Sequence, residues 1–300
     1  MTPQNGYPAD RLRARMSAGA PVLAAGCHDA LSARLATEAG FEAIHLSGAL
    51  VSAVTFGLPD LGYVGASDML DALGRVTSGT DLPIIADADT GYGDPLQVAA
   101  TVRRYERAGA AALHLEDQVM PKRCGHMEGT RLAPLEDAVG RLRAAAETRE
   151  RLVLIARTDA LRTAGRDEAM RRIAAYAAAG ADAVFVEGAI DAATVAEARD
   201  ASGGLPVLVN FSAAGKAPEP VADLARAGCR IAIFPVAAAL AGAAAMRDAY
   251  RSILATGAAP EPPLGWDEFT TVLGLPTLSA NEDRWKAVPA QPDSPEKEPA

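Results

Sequence analysis

Eight short apolar stretches recur along the chain, each followed by an amphipathic helical stretch, with no run of hairpins between them. They cover 21–25, 43–46, 83–88, 112–116, 152–158, 183–187, 206–211 and 230–236. Several of the intervening helices close on Ala-Gly, as at Ala39-Gly40, Ala108-Gly109, Ala179-Gly180 and Ala227-Gly228, where glycine can take the left-handed conformation that stops a helix. Strands separated by helices pair in parallel, and eight units predict an α/β fold of the (β/α)8 TIM-barrel type rather than an open doubly wound sheet. The barrel is expected over 1–257, opening with an amphipathic helix at 9–18. A stiff Pro-containing linker and two short helices, 266–273 and 278–285, form a C-terminal helical extension over 258–288. A Pro/Glu/Lys-rich tail, 289–300, is expected to be disordered.

Composition narrows the function. Apolar residues make up 49% of the chain but aromatic ones only 5%, so the core is built from Ala, Val, Leu and Ile. A net charge of -9 argues against nucleic-acid or anionic-membrane partners. The polar, charged first fifteen residues do not read as a secretory leader, and no apolar run reaches membrane length. Three cysteines, Cys27, Cys124 and Cys229, suit a reducing cytoplasm better than a disulfide framework. No G-x-G-x-x-G follows a strand; Gly91-Tyr92-Gly93 has the wrong spacing and Asp94 beside it would repel a pyrophosphate.

In a barrel of this type the chemistry sits where the strands end. The third stretch ends Asp87-Ala88-Asp89, with both carboxylates on one face by alternation, and the fourth adds Glu116. The turn Gly57-Leu58-Pro59-Asp60 can bring a fourth carboxylate. Four oxygen donors without a paired His or Cys predict a hard-cation site, Mg2+ first and Mn2+ next. Asp94 before Pro95 reads instead as a helix cap. The fifth, sixth and seventh stretches end in Arg157, Glu187 and Asn210, which with the metal make a ring suited to a small polyanionic acid. His114 points inward, either as a hydrogen-bonding group behind the metal or as a packed histidine.

The run Lys122-Arg123-Cys124-Gly125-His126 follows the fourth strand. Two cationic residues and an imidazole beside a thiol give it a route to a lowered pKa, and Gly125 gives the backbone freedom to turn. No second Cys or His stands at zinc-ligand spacing.

That pentapeptide, followed by Met127 and preceded by Glu116-Asp117-Gln118, resembles the signature of the isocitrate lyase/phosphoenolpyruvate mutase superfamily, and the likeness runs from about Pro21 to Trp285. The resemblance implies Mg2+ surrounded by Asp60, Asp87, Asp89 and Glu116, some through water. It assigns Arg157, Glu187 and Asn210 to substrate, and Ser47 and Gly48 to the carboxylate of a 2-oxo acid. It further implies a homotetramer built from dimers that exchange their C-terminal helices. The reading that follows is a Mg2+-dependent C–C lyase of a substituted 2-hydroxy di- or tricarboxylic acid, dimethylmalate- or methylisocitrate-like, working through a 2-oxo acid enolate. Cys124 is its general acid, poised by Lys122 and His126 in a loop, 118–132, that closes as a lid.

The chain departs from 2-methylisocitrate lyases at four places. His45 replaces their Tyr, Ala49 their second Gly, and Phe211-Ser212-Ala213-Ala214 lacks their Thr-Glu. Leu240 stands where they carry an Arg for a distal carboxylate, which argues against a tricarboxylic acid. His45 and the Pro-Lys-Arg-Cys-Gly-His-x-Glu-Gly run also resemble the carboxyphosphonoenolpyruvate mutase branch, so His45 joins the catalytic candidates and a phosphonomutase is the second reading. An oxaloacetate decarboxylase is the third. A non-catalytic barrel would have lost these carboxylates or the loop thiol, and the chain keeps them.

Overall fold

The structure, a computed structural model, describes residues 6–125, 127–212 and 217–286. In chain order its elements begin with α1 (Pro8–Ser17), β1 (Val22–Cys27), α2 (Ala30–Glu38), β2 (Ala43–Leu46), α3 (Gly48–Val51), α4 (Ala66–Gly79), β3 (Ile84–Asp87) and α5 (Pro95–Arg107). There follow β4 (Ala112–Glu116), α6 (Leu135–Thr148), β5 (Val153–Thr158), α7 (Ala160–Thr163), α8 (Arg166–Ala178), β6 (Ala183–Val186) and α9 (Ala192–Ala201). Finally come β7 (Val207–Asn210), α10 (Val221–Ala227), β8 (Cys229–Phe234), α11 (Ala237–Thr256), α12 (Trp266–Val272) and α13 (Leu275–Lys286). All eight strands pair in parallel in sequence order, and β8 pairs with β1 to close the barrel. This is the (β/α)8 barrel that the strand–helix alternation predicts.

Alternation along each strand divides the core in two. Leu113 and Leu115 face outward into the layer between strands and helices, with Ile44, Leu46, Val102 and Ile173. Ala112, Ile85, Val153, Ile155, Phe185 and Ile231 fill the barrel interior, and Leu12 and Met16 of α1 plug it from below. The inward side chains at the opposite end of the strands are polar, which moves the chemistry to that rim.

The Ala-Gly helix ends work as expected: Gly109 has φ 97° and Gly180 φ 102°. The next amides, Ala110 and Ala181, reach back to the carbonyls of Tyr105 and Tyr176, closing the last turn. Ser47 caps α3, accepting from the Leu50 amide at 3.4 Å, and the chain continues as a π-helical turn, Ser52–Phe56.

The chain falls into two compact units, Met1–Ala258 and Ala259–Ala300. In the second, α13 starts at Leu275 rather than at 278, because Pro276 fits a first helical turn, where its missing N–H has no partner to lose. Trp266 and Trp285 of this unit are exposed, as are Leu240, Tyr250 and Leu254 on α11 of the first. The expected tail, 289–300, lies outside the described residues. Among the described residues no helix is long and apolar enough to cross a membrane.

Candidate active site

A cavity of about 70 Å³ opens at the C-terminal rim of the barrel. Its wall contains His45, Ser47, Asp60, Asp87, Cys124, Arg157, Glu187 and Asn210, eight of the candidates that the sequence singles out. Gly48, Asp89, Glu116 and Lys122 stand directly behind that wall through the contacts below. His126 lies outside the described residues.

The first half of the barrel supplies the acidic wall. Asp87 ends β3 and its Oδ2 accepts the Gly48 amide at 3.2 Å. A Cβ at Gly48 would meet that oxygen at 2.9 Å, so only glycine lets the backbone come so near. Asp89 does not reach the rim by strand alternation. β3 stops at Asp87, and Asp89 turns in with a left-handed φ of 45°, its amide donating to Asp87 Oδ1 at 3.1 Å and its carbonyl accepting from Glu116 N–H at 2.8 Å. A non-glycine residue held there is strained, and the strain aims its carboxylate inward. Asp94 is exposed, before Pro95 at the start of α5, a cap rather than a ligand.

Lys122 is oriented otherwise than the sequence suggests. Its ammonium is buried and pairs with Asp60 Oδ1 at 2.6 Å and Asp89 Oδ1 at 2.7 Å, so its charge is committed to carboxylates rather than held for the thiol. Gly125 also serves a different purpose. Its φ is not left-handed; a Cβ there would lie 2.7 Å from Glu187 Cγ and 2.8 Å from Arg157 Nη2. The loop therefore lies against the β5 and β6 ends, and glycine is needed for close approach.

On the opposite wall, Arg157 forms a planar fork. Nη1 lies 3.2 Å from Glu116 Oε2, Nε and Nη2 donate to Asp159 at 2.9 and 3.2 Å, and Nη2 lies 3.5 Å from Glu187 Oε2. The guanidinium also sits 5.1 Å over the Phe185 ring. Asn210 donates to Glu187 at 3.3 Å, leaving its own Oδ1 without a protein partner.

Burial sets the protonation states. It pulls His45 down to about 3, with His114 adding to the effect, and pulls His114 down to about 4. The two rings stack with 5.4 Å between centroids and their Nε2 atoms 3.1 Å apart. Both are neutral at neutral pH, so His45 offers a hydrogen-bonding edge rather than a mobile proton. His114 is that edge's partner and lies 3.5 Å from Asp87. Burial pushes Asp89 up to about 6 against the pull of Lys122, and raises Glu116 well above the carboxylate range against Arg157. Asp87 goes the other way: burial is outweighed by His114, Lys122 and Arg157. Cys27 and Cys229 are driven up to about 12 and about 11 by burial, which makes them inert. Cys124 is half-buried on the cavity wall.

The donor set suits a hard cation. Six carboxylates, those of Asp60, Asp87, Asp89, Glu116, Asp159 and Glu187, face the two cationic side chains Lys122 and Arg157. Asp89 Oδ2 and Glu116 Oε1 are buried without a hydrogen-bond partner. Among the described residues no three such groups gather closely enough to hold a metal ion as they stand.

Three features of the site come from the structure alone. Asp159 anchors Arg157, Gln118 supports the loop, and Ile233, Pro235 and Val236 give the cavity an apolar side at β8. Leu240, weighed as the replacement for a distal Arg, is exposed on α11 and is not part of the wall.

The chain is thus a parallel barrel whose rim sets carboxylates against an arginine. The phosphoenolpyruvate phosphomutase family model matches residues 12–254, and the chain belongs to that family, within the isocitrate lyase/phosphoenolpyruvate mutase superfamily of enzymes. It is 35% identical to 2,3-dimethylmalate lyase of Eubacterium barkeri over 92% of this chain and 98% of that one. It is 40% identical to 2-methylisocitrate lyase of Bacillus subtilis over 79% and 78%. The structure of oxaloacetate acetylhydrolase in complex with 3,3-difluorooxalacetate superposes with a TM-score of 0.88 at 34% identity, covering 94% of this chain and 98% of that one.

Proposed function

We propose that the chain is a carbon–carbon lyase that cleaves an alkyl-substituted 2-hydroxy acid, of the dimethylmalate or methylisocitrate type, into a 2-oxo acid and a second carboxylic acid. The observation that carries this reading is one cavity with Cys124 on its wall, carboxylates on one side, Arg157 on the other and an apolar side at Ile233, Pro235 and Val236. Arg157 binds a substrate carboxylate, and the apolar side takes an alkyl substituent. A dicarboxylic acid suits the small volume better than a tricarboxylic one.

In the cleavage direction a wall carboxylate accepts the 2-hydroxyl proton and the C2–C3 bond breaks as the 2-oxo group forms. The bonding electrons leave with C3, so the enolate develops on the departing acid rather than on the 2-oxo acid, and Cys124 Sγ delivers the proton to it. Asp60, Asp87, Asp89 and Glu116 would hold Mg2+, or Mn2+ in its place, which when bound supplies positive charge to the substrate oxygens. Gly125 packed on Glu187 and Arg157 keeps water from the carbanion. A homotetramer with exchanged C-terminal helices is part of the same proposal, supported by the exposed Trp266, Trp285 and Leu254, and light scattering in solution tests it.

The family model keeps a phosphonomutase as the second reading, since its description is a phosphomutase. Purified protein is incubated with Mg2+ and 2,3-dimethylmalate, citramalate, 2-methylisocitrate, isocitrate or oxaloacetate, and 2-oxo acid release is followed with EDTA and Cys124→Ala controls. Metal-dependent release from one hydroxy acid, lost in Cys124→Ala, is expected. Activity on oxaloacetate alone that survives Cys124→Ala would move the assignment to decarboxylation or acetyl hydrolysis. Silence on the panel with a shifting phosphorus resonance on phosphonopyruvate would replace the lyase by the mutase.

A further inference from the structure

Gln118 is nearly fully buried at the base of the signature loop. Its backbone is fixed: it bridges antiparallel to Leu132, the Val119 amide donates to Arg131 O at 2.9 Å, and Arg141 Nη1 donates to Gln118 O at 3.3 Å. From this anchor the side chain folds back inside the loop. Oε1 accepts the Arg123 amide at 2.9 Å, and Nε2 donates to Arg123 O at 2.8 Å and to the Asp159 carboxylate. The amide thus takes one acceptor and two donor contacts, and turning it over would set N–H against N–H and oxygen against two oxygens. Asp159 in turn receives Nε and Nη2 of Arg157. One residue beyond Arg123, the Cys124 amide donates to Asp60 O at 3.2 Å.

From this geometry we infer that Gln118 is a positioning residue: it clamps the Arg123 peptide to the Asp159–Arg157 pair and so sets where Cys124 stands relative to the group that binds substrate. Cys124 is carried by a loop, and a proton donor on a loop works only if its reach to the reacting carbon is fixed. The Arg123 peptide has both its polar groups held by a single side chain anchored in the barrel wall. That side chain also contacts the carboxylate that orients Arg157, so thiol and substrate clamp share one support. The inference deepens the lyase reading, since it concerns the placing of the proposed acid.

The test is iodoacetamide labelling of the full-length protein, with the three cysteines resolved by peptide mass mapping. Cys27 and Cys229 are buried and report the integrity of the fold, whereas Cys124 reports the loop. Gln118→Met keeps the side-chain length and removes the three contacts. Gln118→Glu keeps the acceptor to the Arg123 amide but sets a carboxylate against Arg123 O and Asp159. Both are expected to label at Cys124 about tenfold faster than the wild type, the scale of losing buried hydrogen bonds, with Cys27 and Cys229 still protected. On the lyase substrate kcat is expected to fall by more than KM rises, and restoring side-chain volume alone, as in Gln118→Met, does not rescue it. Unchanged labelling at Cys124 in both variants would overturn the inference. Equal acceleration at all three cysteines would overturn it too, by showing that the contacts serve the fold as a whole. Labelling needs no turnover, so a chain inactive on every hydroxy acid would sink the lyase reading and leave this one decided.

Discussion

Two buried cations share the rim of this barrel, and they are held in different ways. Arg157 projects from β5, a fixed strand, and its planar fork meets Glu116, Asp159 and Glu187 with its nitrogens assigned one by one. Lys122 projects from a loop, and its compact ammonium sits between Asp60 and Asp89 with Asp89 Oδ2 left over. A guanidinium orients what it binds, whereas an ammonium is close to a point charge that another cation can replace. The arginine cluster therefore reads as permanent scaffold and substrate clamp, and the lysine cluster as a place where a divalent cation can share or take over the carboxylates.

The largest expected effect separates the two directly. Arg157→Met strands three buried carboxylates and should cost about 3–5 kcal/mol of stability in denaturant melts, with activity lost and no recovery on adding Mg2+. Lys122→Met should cost less, and Mg2+ should restore much of the loss by taking the vacated place; a loss equal to that of Arg157→Met and indifferent to metal would erase the distinction. Cys124→Ala, which leaves the cation and the carboxylates of both clusters in place, should lower kcat by about a hundred- to ten-thousandfold while moving stability by less than about 0.5 kcal/mol.

pH sharpens the contrast at smaller amplitude. Asp89 is raised from 3.8 to about 6, so the folded chain holds that proton more tightly than the unfolded chain does. Its contribution therefore falls as pH rises from about 4 to about 6, with a limiting slope of about 1.4 kcal/mol per pH unit, and Asp89→Asn should remove that slope in metal-free protein. His45 runs the opposite way. Its folded value of about 3 lies below the ordinary 6.5, so stability present above 6.5 is lost as pH falls toward 3. His45→Gln should flatten the acid limb over that window in melts from pH 7 to 4, by at most the same slope, with His114 beside it still titrating.

Much of this protein was legible in its sequence, and for an identifiable reason. Strand alternation and helix ends are local properties, so Leu113 and Leu115 facing out, Glu116 and His114 facing in, and the stop at Gly109 follow from neighbours a few residues away. Eight repeats of that local pattern leave few closed arrangements, and the barrel follows. Its geometry then puts strand-end residues on one rim, which is why Asp87, Arg157, Glu187 and Asn210 meet in one cavity. What the sequence could not supply is where a side chain turns once it arrives. Lys122 lies two residues from Cys124 yet pairs with Asp60 and Asp89, because a buried ammonium goes to the nearest buried carboxylates rather than to its sequence neighbour. Gly125 reads as a hinge and is a close contact with Glu187 and Arg157; Gln118 reads as the end of a motif and grips Arg123 and Asp159. Periodicity and spacing determined the barrel and the strand-end members of its rim, while Ser47 and Gly48 came from the family resemblance. Only the tertiary structure decided the partners, since burial and charge pairing depend on groups brought together from distant parts of the chain.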